Sequence, residues 1–118
     1  MSQIVAVVSD LIFRSKIDST ARAAGATAQV VSTPTELSDA LQSGKTDKVL
    51  IDLGLPAGES LQAIRIARDH DADMTIVAFG SHVDKAALQA ASDAGADQVM
   101  PRSQFTAQLQ SMLADSDA

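Results

Sequence analysis

The sequence predicts a doubly wound α/β fold, (βα)5, with five parallel strands in the order 2-1-3-4-5. Three observations predict it. Five short apolar runs recur along the chain, each nearly continuous rather than alternating, which is the pattern of strands covered on both faces. Between them, apolar residues fall at three- and four-residue spacing, so each strand is followed by an amphipathic helix. Cap and turn residues stand at the joins and leave only short loops. Such alternation implies right-handed crossovers and helices on both faces of one sheet.

The elements follow in order. The first strand is predicted at residues 4–8, and its helix carries Phe13, Ile17, Ala21 and Ala24 on one stripe. A second strand at 28–31 leads to Thr33-Pro34-Thr35-Glu36. That is a capping box with proline at the first helical position, and Leu37, Ala40 and Leu41 form the buried stripe behind it. The third strand, 49–51, runs into Asp52, and the helix after it presents Leu61, Ile64 and Ala67. The fourth strand, 75–79, precedes a stripe of Val83, Ala87, Ala91 and Ala94. The fifth, 98–100, precedes Phe105, Leu109 and Met112. Gly25 and Gly95, each inside an Ala-Gly-Ala, sit where a helix ends on a left-handed residue. The tail after Leu113 reads as a frayed end.

Composition narrows the function. A chain of 118 residues is expected to form a single domain, residues 1–118. Its formal net charge of −6 and scattered basic residues argue against a nucleic-acid surface. The absence of cysteine excludes disulfides, thiolate metal sites and cysteine nucleophiles together. No apolar run approaches the roughly 20 residues that span a bilayer, and the N-terminus does not have the form of a signal peptide. A cytoplasmic protein is expected.

In a doubly wound sheet, ligands bind at the carboxyl ends of the strands near the switch point, here between strands 1 and 3. Strand 1 ends in Ser9-Asp10 and strand 3 in Asp52. Neighbouring strands lie roughly 5 Å apart, and two carboxylates so close repel unless a proton or cation intervenes. Mg²⁺ suits such a place, bound weakly. The alternative is local: Asp10 caps the first helix and Asp52 makes an Asx turn. The convergence of both at the switch point favours a site.

At these residues the chain resembles the receiver domains of two-component response regulators, a flavodoxin-like fold. "VVSD" resembles the acidic cluster after strand 1, and "VLIDLGLP" the phosphoacceptor segment. "AASDAGADQVM" is similar to the end of the fourth helix and the fifth strand. The resemblance implies Asp52 as phosphoacceptor, and Mg²⁺ held by Asp10, Asp52 and the backbone carbonyl of Gly54. It implies as partner a signalling protein such as a histidine kinase or phosphotransfer protein.

The departures are equally plain. Ser9 stands where a receiver has its first acid, Gly80 where it has the strand-4 hydroxyl, and Val99 where it has the strand-5 aromatic. Arg102 replaces the lysine after strand 5, followed by Ser103 in place of proline. Ser81 could supply the missing hydroxyl, but Ser81-His82-Val83-Asp84 reads as the cap of the fourth helix. Arg102 could hold a phosphoryl group bidentately or salt-bridge Asp52 instead. His82 and His70 read as exposed, Phe13 and Phe105 as core, and Arg14 and Lys16 as the solvated face of the first helix. "SGKT", residues 43–46, lacks the first glycine of a P-loop and lies at the wrong sheet edge.

The expected function is an atypical stand-alone receiver that is not an enzyme and acts through protein contacts, with Asp52 a weak or lost phosphoacceptor. Two alternatives compete with it. One is a receiver-fold interaction module independent of phosphate; the other, less supported, is a small flavodoxin-like ligand-binding protein.

Overall fold

In the computed structural model, which describes residues 3–56 and 58–114, strands and helices alternate along the chain. The strands are β1 (Gln3–Val7), β2 (Thr27–Val31), β3 (Lys48–Asp52), β4 (Thr75–Gly80) and β5 (Gln98–Pro101). The helices are α1 (Leu11–Ala24), α2 (Pro34–Ser43), α3 (Glu59–His70), α4 (Lys85–Ala94) and α5 (Arg102–Ala114). Neighbouring strands pair in parallel in the order β2-β1-β3-β4-β5, as the sequence predicts. The end of the expected frayed tail, residues 115–118, lies outside the described residues.

The pleat sorts the strand residues into two cores. Val5, Val7, Val49, Ile51, Ile76 and Ala78 face α2, α3 and α4. Ile4, Ala6, Leu50, Val77, Phe79 and Met100 face α1 and α5. At the carboxyl end of β3 the alternation continues. Asp52 falls on the α1–α5 side, and Leu53 packs against the opposite core.

Caps explain where the helices begin and stop. The Asp10 carboxylate accepts from the N–H groups of Ile12 and Phe13 at 2.9 and 3.3 Å, so Asp10 is the N-cap of α1. Thr33 accepts from Glu36 N at 3.2 Å, and Glu36 reaches back to Ser32 N at 2.9 Å, a capping box displaced by one residue. Gly25 and Gly95 adopt φ of +73° and +119°, a region L side chains rarely enter, and they end α1 and α4 as predicted.

Four expectations need correction. Residues 28–31 were predicted to be covered on both faces, yet in β2 only Val31 is buried, because β2 is the sheet edge with a single neighbour. Val83 does not belong to the stripe of α4: the helix starts after its cap Asp84, Val83 is 74% exposed, and of the stripe only Ala91 is fully buried. The cap of α4 is therefore Asp84, which accepts from Ala87 N at 3.1 Å, and not Ser81. Arg14 does not merely solvate α1; its guanidinium donates to Ser32 Oγ and to the Val30 carbonyl, tying the helix to β2.

At the opposite edge of the sheet, Arg68 of α3 donates to the carbonyls of Ala72, Met74 and Gly95 and to the Asp97 carboxylate. One side chain thus joins α3, the start of β4 and the end of α4. Ser43 ends α2 and residues 44–46 lie in its link to β3 at this same edge, not at the start of a helix as a P-loop requires. Among the described residues no helix is long and apolar enough to cross a membrane.

Candidate functional site

The pairing of β1 with β3, and of β3 with β4, brings Asp10, Asp52 and Gly80 to one edge of the sheet. Asp52 ends β3 opposite Phe79 and is buried, its side chain only 4% exposed. A carboxylate in that setting requires partners, because burying an unpaired charge is costly. It has two on one oxygen. Asp52 Oδ1 accepts from Gly54 N at 2.7 Å, which is the Asx turn, and from Arg102 Nη2 at 3.0 Å.

Arg102 is the first residue of α5, placed directly after Pro101 ends β5. Its guanidinium carbon lies 5.4 Å from the ring centre of Phe13 and 5.7 Å from that of Phe79. Both distances fall within cation–π range. Phe79 stacks on Phe105 at 3.9 Å between ring centres, and Phe13 leans on both. Three rings from α1, β4 and α5 therefore form an apolar floor under the ion pair. Gly54 presses against it from the loop: a Cβ at that position would stand 3.1 Å from Asp52 Oδ1 and 3.4 Å from Arg102 Nη2. The Asp52 main chain is fixed as well, since Ser60 Oγ donates to its carbonyl at 2.8 Å.

Gly80 ends β4 one residue beyond Phe79, the partner of Asp52. Leu53 N donates to the Phe79 carbonyl at 2.8 Å, continuing the β3–β4 ladder by one residue. Its side chain fills the space beside Gly80, where an added Cβ would meet Leu53 Cβ at 3.0 Å. Leu53 thus occupies the place of a side chain at position 80.

The remaining predicted positions are placed as follows. Ser9 is exposed at the loop after β1. Ser81 is exposed and closes a turn, accepting from Val83 N at 3.4 Å with its hydroxyl and from Asp84 N at 3.1 Å with its carbonyl. Among the described residues it makes no bond to Asp52. Val99 is half-buried against the α2–α4 core. His70 and His82 are exposed.

Both local alternatives at the acids are realised, since Asp10 caps a helix and Asp52 makes an Asx turn. The salt-bridging alternative for Arg102 is realised too. Sequence reasoning did not single out Leu53, Ser60 or the ring floor. Leu53 had a usable signal: it follows the strand-ending Asp52, with the parity to face Gly80 on the next strand. The ring floor had none, because its rings come from distant parts of the chain.

Among the described residues no three His, Cys, Asp or Glu side chains gather as a metal cluster. What a divalent cation would find is Asp10, Asp52 and the main chain of Gly54. That donor set fits Mg²⁺, which uses one or two carboxylates and keeps several waters. In each carboxylate one oxygen is engaged, and the other accepts no hydrogen bond from a described residue.

The profile of the response regulator receiver domain matches residues 4–114. No curated protein matches the chain. Among solved structures, the receiver domain of the TMAO respiratory system response regulator TorR superposes with a TM-score of 0.83 at 20% identity, covering 99% of this chain and 100% of that one. A CheY-like receiver domain protein from Methanospirillum hungatei gives 0.81 at 15% identity, over 99% and 97% of the two chains. The receiver domain of a sensor histidine kinase from Pseudomonas aeruginosa, with a magnesium ion coordinated in its active-site cleft, gives 0.82 at 18% identity over 99% and 98%.

Proposed function

The chain belongs to the receiver-domain family of two-component response regulators, and we propose that it is an atypical member in which Asp52 is a slow phosphoacceptor and output runs through protein contacts. The observation that carries this reading is the Asp52–Arg102 pair, a buried carboxylate at the end of β3 held at 3.0 Å by a guanidinium from α5. The phosphodonor would be a histidine kinase or a phosphotransfer protein, or a small acyl phosphate. An Asp52 oxygen attacks phosphorus and forms a P–O bond. The bond from phosphorus to the donor's nitrogen or oxygen breaks, and the leaving group takes the electron pair.

The chain's own residues shape that reaction. Arg102 can turn from the carboxylate to an equatorial phosphoryl oxygen, the planar bidentate contact that guanidinium favours. Gly54 N–H holds the nucleophile in place. No side-chain hydroxyl reaches the phosphoryl group from position 80, and a hydrogen bond to a charged group contributes about 1.5–3 kcal/mol. Loss of that contact in the transition state slows transfer roughly tenfold to a hundredfold. Mg²⁺, held by Asp10, Asp52 and the Gly54 carbonyl, would screen the charge of the incoming group when bound.

A second reading, a receiver-fold interaction module independent of phosphate, is favoured by the occupied Oδ1 of Asp52. Labelling from acetyl phosphate separates the two. Slow labelling that disappears in Asp52→Asn supports the phosphoacceptor. Fast, stoichiometric labelling refutes the slow acceptor, and complete absence of label over many hours leaves the interaction module.

A further inference from the structure

We propose that Arg102 is the resident cation of this site, clamped there by Phe13 and Phe79, and that a divalent cation binds only in competition with it. The inference rests on reading the carboxyl edge as a receiver site and adds what regulates metal there. Three observations meet at this residue. Arg102 already supplies a full positive charge to Asp52, at 3.0 Å on the oxygen that Gly54 N also holds. Its guanidinium is not free to swing away at no cost, because it lies over two aromatic faces, 5.4 and 5.7 Å from their centres. Gly54 lies close against the pair, since a Cβ there would stand 3.1 Å from Asp52 Oδ1 and 3.4 Å from Arg102 Nη2.

Charge and space lead to the same conclusion. A metal ion drawn to Asp52 would sit against a guanidinium of the same sign, and like charges at such distances repel strongly in a partly buried setting. A further acid beside Asp10 would offset that repulsion, but the residue before Asp10 is Ser9. Asp10 contributes less than a free carboxylate, since one of its oxygens already accepts two helix N–H groups. Phe13 and Phe79 are therefore positioning residues: they touch neither metal nor phosphate and act by holding Arg102 over Asp52.

The test titrates Mg²⁺ into the full chain and follows the amide signals of Asp10, Asp52 and Gly54, with Mn²⁺ broadening to locate the ion. Wild type is expected to respond weakly, unsaturated at tens of millimolar. Arg102→Met, which keeps the stem over the rings and removes the charge, should bind at least tenfold more tightly. Phe13→Leu keeps the arginine and loosens its clamp, so it should fall between the two. Arg65→Met, on the exposed face of α3, removes the same charge elsewhere and should behave as wild type. The inference is overturned if Arg102→Met gains nothing, if Arg65→Met gains as much, or if Phe13→Leu binds as wild type does. Labelling from acetyl phosphate is read in parallel. A gain of metal in Arg102→Met without label at Asp52 keeps the inference and removes the phosphoacceptor reading. Label in wild type with no gain of metal does the reverse.

Discussion

A single methyl group added at Gly80 is expected to strain the strand end, and Leu53 is the reason. A Cβ there would stand 3.0 Å from Leu53 Cβ, 3.3 Å from Cδ1 and 3.6 Å from Cγ. Comfortable carbon contacts begin near ~3.5 Å, so two of the three are too short. The closest atom is the least able to yield, because Leu53 Cβ is fixed by a main chain bonded to Phe79 O at 2.8 Å. Overpacking of this kind costs about 1–3 kcal/mol. Replacing glycine also stiffens the unfolded chain, which favours the folded state by about 0.4–1 kcal/mol. The net expectation for Gly80→Ala is a loss of about 1–2 kcal/mol, read from urea unfolding. In a Leu53→Gly background all three contacts vanish, the Cβ included, so the same change should be nearly neutral. The double-mutant cycle should then show coupling of at least about 1 kcal/mol. Stabilisation by Gly80→Ala alone, or additivity within about 0.3 kcal/mol, would refute Leu53 as the obstacle.

Arg68→Met should destabilise the fold by about 2–4 kcal/mol, because three carbonyls and Asp97 lose a charged donor; hydrogen exchange should rise first at the start of β4 and the end of α4. Asp10→Ala should cost about 1 kcal/mol as a lost N-cap, whereas Asp10→Ser should keep that stability in urea and lose the weak Mg²⁺ response. The outer face built from α4 and β5 should keep one conformation whatever happens at Asp52: Gly80 has no side chain to move, and Val99 is β-branched and packed on the core. Amide shifts at residues 85–100 should therefore be unchanged by Asp52→Asn. A partner bound there should change affinity by less than tenfold, or 1.4 kcal/mol; a larger change would reveal a switch made by other residues.

The parts of the fold legible in the sequence are those set by short-range chemistry. The Thr33 box, the glycines at 25 and 95, and the apolar runs at 4–8 and 75–79 each carry their own local cause, and each is found in place. The failures share a different cause. Ala28 and Val30 look like core because composition does not tell an edge strand from a central one, and only pairing decides that β2 has one neighbour. Val83 continues the spacing of Ala87, Ala91 and Ala94, so periodicity extends the helix backward past its true cap at Asp84. Arg14 looks like solvated surface because its acceptors, the Ser32 hydroxyl and the Val30 carbonyl, belong to another part of the chain, which sequence spacing does not display.

The site follows the same division. The acids at 10 and 52 were placed by the topology, and Arg102 with its two fates by the resemblance to receivers, but what chooses between those fates lies in three separated rings. Phe13, Phe79 and Phe105 are the only aromatic residues in the chain, and all three lie under the same ion pair. A flexible lysine-like tether would leave Asp52 partly exposed to other cations, whereas a guanidinium held on two ring faces keeps its charge on the carboxylate. On the proposed reading, Ser9, Arg102 and Gly80 are linked through charge and space rather than independent of one another. With Arg102 supplying positive charge, a second acid for metal has less to do. With Leu53 lying beside Gly80, a hydroxyl there has no space unless Leu53 moves. Restoring a typical receiver site should thus require changes at Arg102 and Leu53 together with Ser9 and Gly80, and substitution of Ser9 or Gly80 alone should leave Asp52 slow.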